Sequence, residues 1–257
     1  MSNNTIHILN GDSLKGQLLN IIDDPLIVTR ECLIDGDVSG DIHERGLAYF
    51  YAKRAKFIAQ YPQCSEAGYH LESVPEINKI TTISSNSIVY CWFEEDLFCQ
   101  VNFWFVIALL NIYVQGATIY LVKPNTGNEY NFAGMNSTDL MLALTNAYQL
   151  KEPQLSVFSQ LWYLYQQKKP NEMLDVAASL EPPFAFVKKA VKAEQGRMPD
   201  SSGYGYPERQ LLSIINELNT TDFSPVFQLF YQRMAVYSFG DLQVKRMFDQ
   251  LIREHKR

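Results

Sequence analysis

SIVYCWFEEDLFCQVNFWFVIALLNIYV, residues 87–114, decides the fold class. Its first part, Ser87 to Trp92, is rich in β-branched and aromatic residues and reads as a buried strand. Phe93-Glu94-Glu95-Asp96 forms the loop at its end, and Leu97 to Val114 reads as a long helix, apolar around much of its circumference. Such a helix needs cover on more than one side, from a sheet and from a second layer. The same order recurs outward from this segment. Downstream, Ala117 to Val122 reads as another strand. Upstream, Ile6-His7-Ile8-Leu9 runs into Asn10-Gly11-Asp12-Ser13 and then into LKGQLLNII at helical spacing. Pro25 to Thr29 is a further apolar run, ending at Arg30-Glu31-Cys32 and the acidic loop DGDVSGD. A helix is expected over 43–60, and 61–86 carries no clear pattern.

Strands alternating with helices across short loops favour a parallel sheet, because parallel neighbours need crossover segments. From Ser137 onward the pattern shows helices and no strand, with helices expected at 138–149, 153–168, 171–180, 183–195, 207–218, 224–237 and 241–255. Residues 196–206, GRMPDSSGYGY, read as an exposed linker. The expected class is α/β: a Rossmann-like, mostly parallel sheet domain over 1–135, followed by an all-helical domain over 136–257.

The formal net charge of −6 is unevenly spread. Residues 1–150 hold 8 Lys and Arg against 16 Asp and Glu, and residues 151–257 hold 14 against 12. An N-terminal half at −8 repels a nucleic-acid backbone, so the charge argues against nucleic acid as a partner. The uninterrupted apolar run from Phe103 to Leu110 falls well short of the roughly 20 residues a membrane span needs. The first residues show no secretory pattern, and Cys32, Cys64, Cys91 and Cys99 show no CxxC pair, so reduced thiols and a cytoplasmic setting are expected.

In an open parallel sheet, ligands bind beyond the carboxyl ends of the strands. Three expected strands deliver polar groups there: Asn10, Gly11, Asp12 and Ser13 from the first; Arg30 and Glu31 from the second; Glu94, Glu95, Asp96 and Gln100 from the third. If these strands are neighbours, the loops converge. Asp12, Glu31 and Asp96 can then hold a divalent, magnesium-type cation or divide acid and base roles. Alternatively, the Gly11 turn and Arg30 can bind a phosphate-like anion. The plain reading is that Asp12 and Asp96 cap helices and the other groups are solvated. There is no GxGxxG after the first strand, no GxxxxGK[ST] and no HExxH. His7, Cys91 and Cys99 read as core residues, as do Trp92, Trp104 and the phenylalanines around them.

Taken in order, His7-Ile8-Leu9-Asn10-Gly11-Asp12-Ser13, Arg30-Glu31-Cys32-Leu33 with Asp35-Gly36, and Trp92 through Gln100 make up a recognisable set. Leu161-Trp162, Pro207 through Leu211, and Phe239-Gly240-Asp241 follow it. On these motifs the chain resembles the bacterial domain-of-unknown-function family 1835 over nearly its whole length. Relatives often carry Trp-x-x-x-Asn where this chain has Trp92 to Asp96. The resemblance implies the two-part layout and a site on the same loops, and it names no reaction.

Two functions follow as expectations. One is an enzyme or degenerate enzyme binding or hydrolysing a small phosphorylated or nucleotide-like ligand between the halves. Asp12, Glu31 and Asp96 would be its ionic core, with Asn10, Gly11, Ser13, Arg30, Glu95 and Gln100 around the ligand. The other is a regulatory protein whose C-terminal helices, with Lys245 and Arg246 on the last, form a docking or helix-turn-helix module.

Overall fold

The computed structural model describes residues 4–125, 127 and 129–255. Among these, the N-terminal part runs β1 (Thr5–Leu9), α1 (Asp12–Leu18), β2 (Leu26–Val28), α2 (Glu44–Ile58), α3 (Glu66–Glu72), α4 (Val74–Thr81), β3 (Ile88–Trp92), α5 (Leu97–Tyr113) and β4 (Thr118–Val122). It continues with α6 (Ser137–Thr145) and β5 (Tyr148–Leu150). Six further helices complete the described residues: α7 (Glu152–Gln166), α8 (Pro170–Ala177), α9 (Phe186–Gly196), α10 (Tyr206–Leu218), α11 (Phe223–Arg233) and α12 (Asp241–His255).

The five strands form one sheet in the order β2-β1-β3-β4-β5. The first three pairings are parallel and the last is antiparallel. The chain is therefore α/β, with a mostly parallel sheet and a helical C-terminal region. β1 has β2 on one side and β3 on the other, so the direction of winding reverses between β1 and β3. β5 departs from the sequence expectation, which placed no strand after Ser137. Its Leu150 pairs with Ile119 and its Tyr148 with Leu121. A break at 135/136 would therefore separate this strand from the rest of the sheet.

Strand alternation sends neighbouring residues to opposite faces. Ile8, Cys91 and Leu121 enter the larger apolar core, and Leu9, Trp92 and Val122 enter a smaller one under α1 and α6. The larger core runs without interruption from Ile6 to Leu251 and contains residues of α7, α9, α10, α11 and α12. α5 lies at its centre, buried from Leu97 to Leu110 apart from Phe98. That is why its sequence is apolar on every side: the sheet covers one flank, and α7 covers another through Phe103 against Phe158 and Phe105 against Trp162. The edge strand β2 is blunted from α4, where the Glu76 carboxylate accepts the Val28 N–H at 2.9 Å.

Gly36 lies in the loop after β2 at φ 79°, where an added Cβ would collide with the Phe57 ring. Gly36→Ala meets both a left-handed backbone penalty and overpacking, so a loss of about 2 kcal/mol is expected in urea unfolding. An unchanged midpoint would show that α2 moves freely against this loop.

Candidate functional site

The carboxyl ends of β2, β1 and β3 are adjacent, as the loop argument requires. What the loops do there differs from residue to residue. Asp12, the first residue of α1, is exposed and takes the Arg30 guanidinium in a two-point pair at 2.6 and 2.8 Å. Arg30 also donates to the Glu72 carbonyl, which ties it to α3. Arg30 holds the Asp12 carboxyl below the usual carboxylate range. Gly11 adopts φ 98°, and no described atom lies within 4 Å of where a Cβ would stand, so the turn needs glycine for its backbone angle. Ser13 is exposed on α1.

Glu31 points inward and its carboxylate is 1% exposed. It accepts from Arg54 at 3.0 and 3.2 Å and from the Tyr69 hydroxyl. Glu31 is thus paired with α2 and α3, and Asp12 with Arg30; neither shares a partner with Asp96.

Between β1 and β3 a polar cluster fills the crevice. The Asn10 amide donates to Cys99 Sγ at 2.9 Å, and the Asn102 amide donates to Asn10 Oδ1 at 2.8 Å and to the Glu31 carbonyl at 2.8 Å. The Cys99 thiol donates to Glu94 Oε2 at 2.9 Å. Asp96 caps α5 by accepting the Cys99 N–H at 2.9 Å, as its position before the helix led one to expect. Gln100 donates from Nε2 to the Glu94 carbonyl at 2.7 Å. Burial, with the Glu94 charge beside it, pushes the Asp96 carboxyl up to about 7. Burial also raises Glu94, and it raises Cys99 with the help of Asp96 and Glu94, so this thiol is held protonated. Asn10, Asp96 and Gln100 are brought together by the fold. Asn102 joins them, as does Cys99, whose expected role was packing in the core.

One strand further along the sheet is a cavity of about 750 Å³. Glu95 lines it from the β3 loop, Lys123 from the end of β4, Tyr148 from β5, Lys189 from α9, and Glu129 and Tyr130 from the loop after β4. Lys123 is mostly buried and donates to Glu95 at 2.5 Å, with its ammonium over the rings of Tyr148 and Phe186. Lys189 is exposed. Of the expected site residues Glu95 alone lines this cavity; Lys123, Lys189 and Tyr148 had no local sequence signal, since each comes from a different element.

His7 is buried, its Nδ1 accepting from Trp92 Nε1 at 2.9 Å while Nε2 faces Asp24 at 3.6 Å. Burial lowers its pKa against the pull of Asp24. Towards the other end of the chain, the two cations singled out on α12 already have partners. Lys245 pairs with Asp249 on its own helix, and Arg246 pairs with Asp35. The 196–206 segment is tied by Arg209, which pairs with Asp200 at 2.7 Å and donates to the Tyr204 carbonyl. Among the described residues no helix is long and apolar enough to cross a membrane. Compared with known proteins, no family model matches this chain and no curated protein matches it.

Proposed function

We propose that the protein binds a small phosphorylated or nucleotide-like ligand in the cavity beyond the carboxyl ends of β3 and β4. One observation carries this reading: Lys123 from the sheet and Lys189 from the helical region line the same hollow, with Glu95, Tyr130 and Tyr148 between them. The chemistry divides naturally. Ammonium groups take phosphate oxygens, Glu95 accepts sugar hydroxyls or base N–H groups, and a tyrosine ring offers a stacking face. The position agrees with the Rossmann-like reading of the sheet, in which ligands sit beyond the carboxyl edge. Membership of the domain-of-unknown-function family 1835 is a separate part of the proposal: it rests on the order of the motifs along the chain, of which the β3 loop, through Glu95, reaches this cavity. A reducing, cytoplasmic setting is supported by four free cysteines.

The test is a thermal-shift and calorimetric panel of inorganic phosphate, nucleoside monophosphates and nucleoside diphosphates against the wild type and Lys189→Glu. The substitution is at an exposed position, so the fold is retained. A ligand at about one hundred times its dissociation constant stabilises by about 2.7 kcal/mol, which is about 5–10 °C for a chain of this size. Lys189→Glu is expected to weaken that ligand by about tenfold or more. No shift with any member of the panel, or equal affinity in the variant, rejects the proposal.

A further inference from the structure

The Glu94, Asp96 and Cys99 cluster takes no part in that binding cavity. One ligand atom from each residue lies within 4.8 Å of the other two. The groups that hold them are neutral: the Asn10 amide on Cys99, the Phe132 N–H on Glu94 at 2.8 Å, and the Cys99 N–H on Asp96. Among the described residues no Lys or Arg pairs with Glu94 or Asp96 in an ion pair. A fully buried carboxylate and a half-buried one thereby lie side by side without a compensating positive charge, an arrangement that burial disfavours.

A second observation is independent of the cluster's spacing. Asp96 is fully buried, and its Oδ2 has no hydrogen-bond partner among the described residues. The Gln100 side chain is also fully buried, with its amide nitrogen against the Glu94 carbonyl and its Oε1 unpartnered. Buried oxygens are rarely left in this condition, and each needs a donor or a cation.

We propose that Glu94, Asp96 and Cys99 bind a divalent cation of the zinc class. A thiolate with two carboxylates suits a borderline-soft ion, whereas magnesium and calcium prefer oxygen alone. Three protein ligands leave a fourth tetrahedral position. Binding breaks the S–H bond of Cys99 and forms a metal–sulfur bond. The proton now donated to Glu94 passes to solvent, as does any proton on Asp96, and no electron is transferred.

Cobalt(II), with no other ligand added, is the probe for the full chain, so the result is independent of phosphate or nucleotide binding. The wild type is expected to take up one equivalent and to show a thiolate-to-cobalt charge-transfer band that zinc bleaches. A Cys32→Ser/Cys64→Ser variant keeps the band, because it leaves Cys99 in place. Cys99→Ser loses it, and Asp96→Asn binds about tenfold or more weakly. Circular dichroism checks the folding of each variant. Should Cys99→Ser fail to fold, the band in the Cys32/Cys64 variant and its bleaching by zinc still decide the matter. No charge-transfer band in the wild type, its loss in the Cys32/Cys64 variant, or its survival in folded Cys99→Ser overturns the proposal.

Discussion

Arg54→Ala is expected to lower the thermal midpoint by about 10 °C, the equivalent of about 3–5 kcal/mol for breaking a buried ion pair in a chain of this size. Arg54 and Glu31 are 0% and 1% exposed at their side chains. The guanidinium also satisfies the Cys32 carbonyl at 2.8 Å and the Asp35 carbonyl at 2.7 Å. Truncation therefore leaves a carboxylate and two carbonyls without their donor. The cost comes from those stranded groups rather than from the lost Coulomb attraction, since taking two charges out of water offsets most of that attraction.

A paired replacement separates the two terms. Arg54→Met with Glu31→Leu removes both charges and keeps side chains of moderate size, so the part of the loss owed to the uncompensated carboxylate should return. A residue of about 1–3 kcal/mol remains for the Tyr69 hydroxyl and the Cys32 N–H, which donate to Glu31 in the wild type, and for the Cys32 and Asp35 carbonyls, which lose Arg54. Circular dichroism melts of the two single variants and the double variant measure this directly. A fall of less than about 3 °C in Arg54→Ala would show that water reaches the pair. In that event Glu31 becomes available for chemistry, the role its position after β2 first suggested.

The alternation of strand and helix was legible because burial on both faces of a parallel sheet leaves short apolar runs, and α5 leaves a long one. β5 was not legible. It has three residues, of which Tyr148 and Gln149 are exposed, so one buried side chain carries no period. α3 and α4 follow one another directly, each seven or eight residues long, which is too short for a face to show in sequence. At the site, the rule that loops gather at the carboxyl edge located Asn10, Glu94, Asp96 and Gln100. It gave no account of which charges were already paired. Glu31 meets Arg54 across 23 residues, Glu95 meets Lys123 across 28, and Asn10 meets Asn102 across 92. Partners at such separations depend on helix packing, which local patterns do not encode. Asn102 did have a signal: an amide amid the apolar residues of α5 must find a hydrogen-bond partner when buried.

The second large effect is expected at Trp162, on α7, where the helical region meets the layer over the sheet. Its ring is fully buried, 4.9 Å from Phe105 of α5 and 6.4 Å from Phe50 of α2. Trp162→Ala removes the side chain common to three helices, at a cost of about 3–5 kcal/mol. Its Nε1 has no hydrogen-bond partner among the described residues, so the ring contributes through packing alone. Trp162→Phe keeps much of that packing and removes an unsatisfied donor, so its cost should be nearer 1 kcal/mol. The manner of unfolding matters as much as the midpoint. An apolar core continuous from Ile6 to Leu251 couples the sheet to the C-terminal helices. Fluorescence of the two remaining tryptophans, Trp92 in β3 and Trp104 in α5, and far-ultraviolet circular dichroism of the helices should therefore change together in Trp162→Ala, at one midpoint lowered by about 10 °C. Two separated transitions would mean that the shared core does not bind the halves into one cooperative unit, and that α7 can leave α5 while the sheet stays folded.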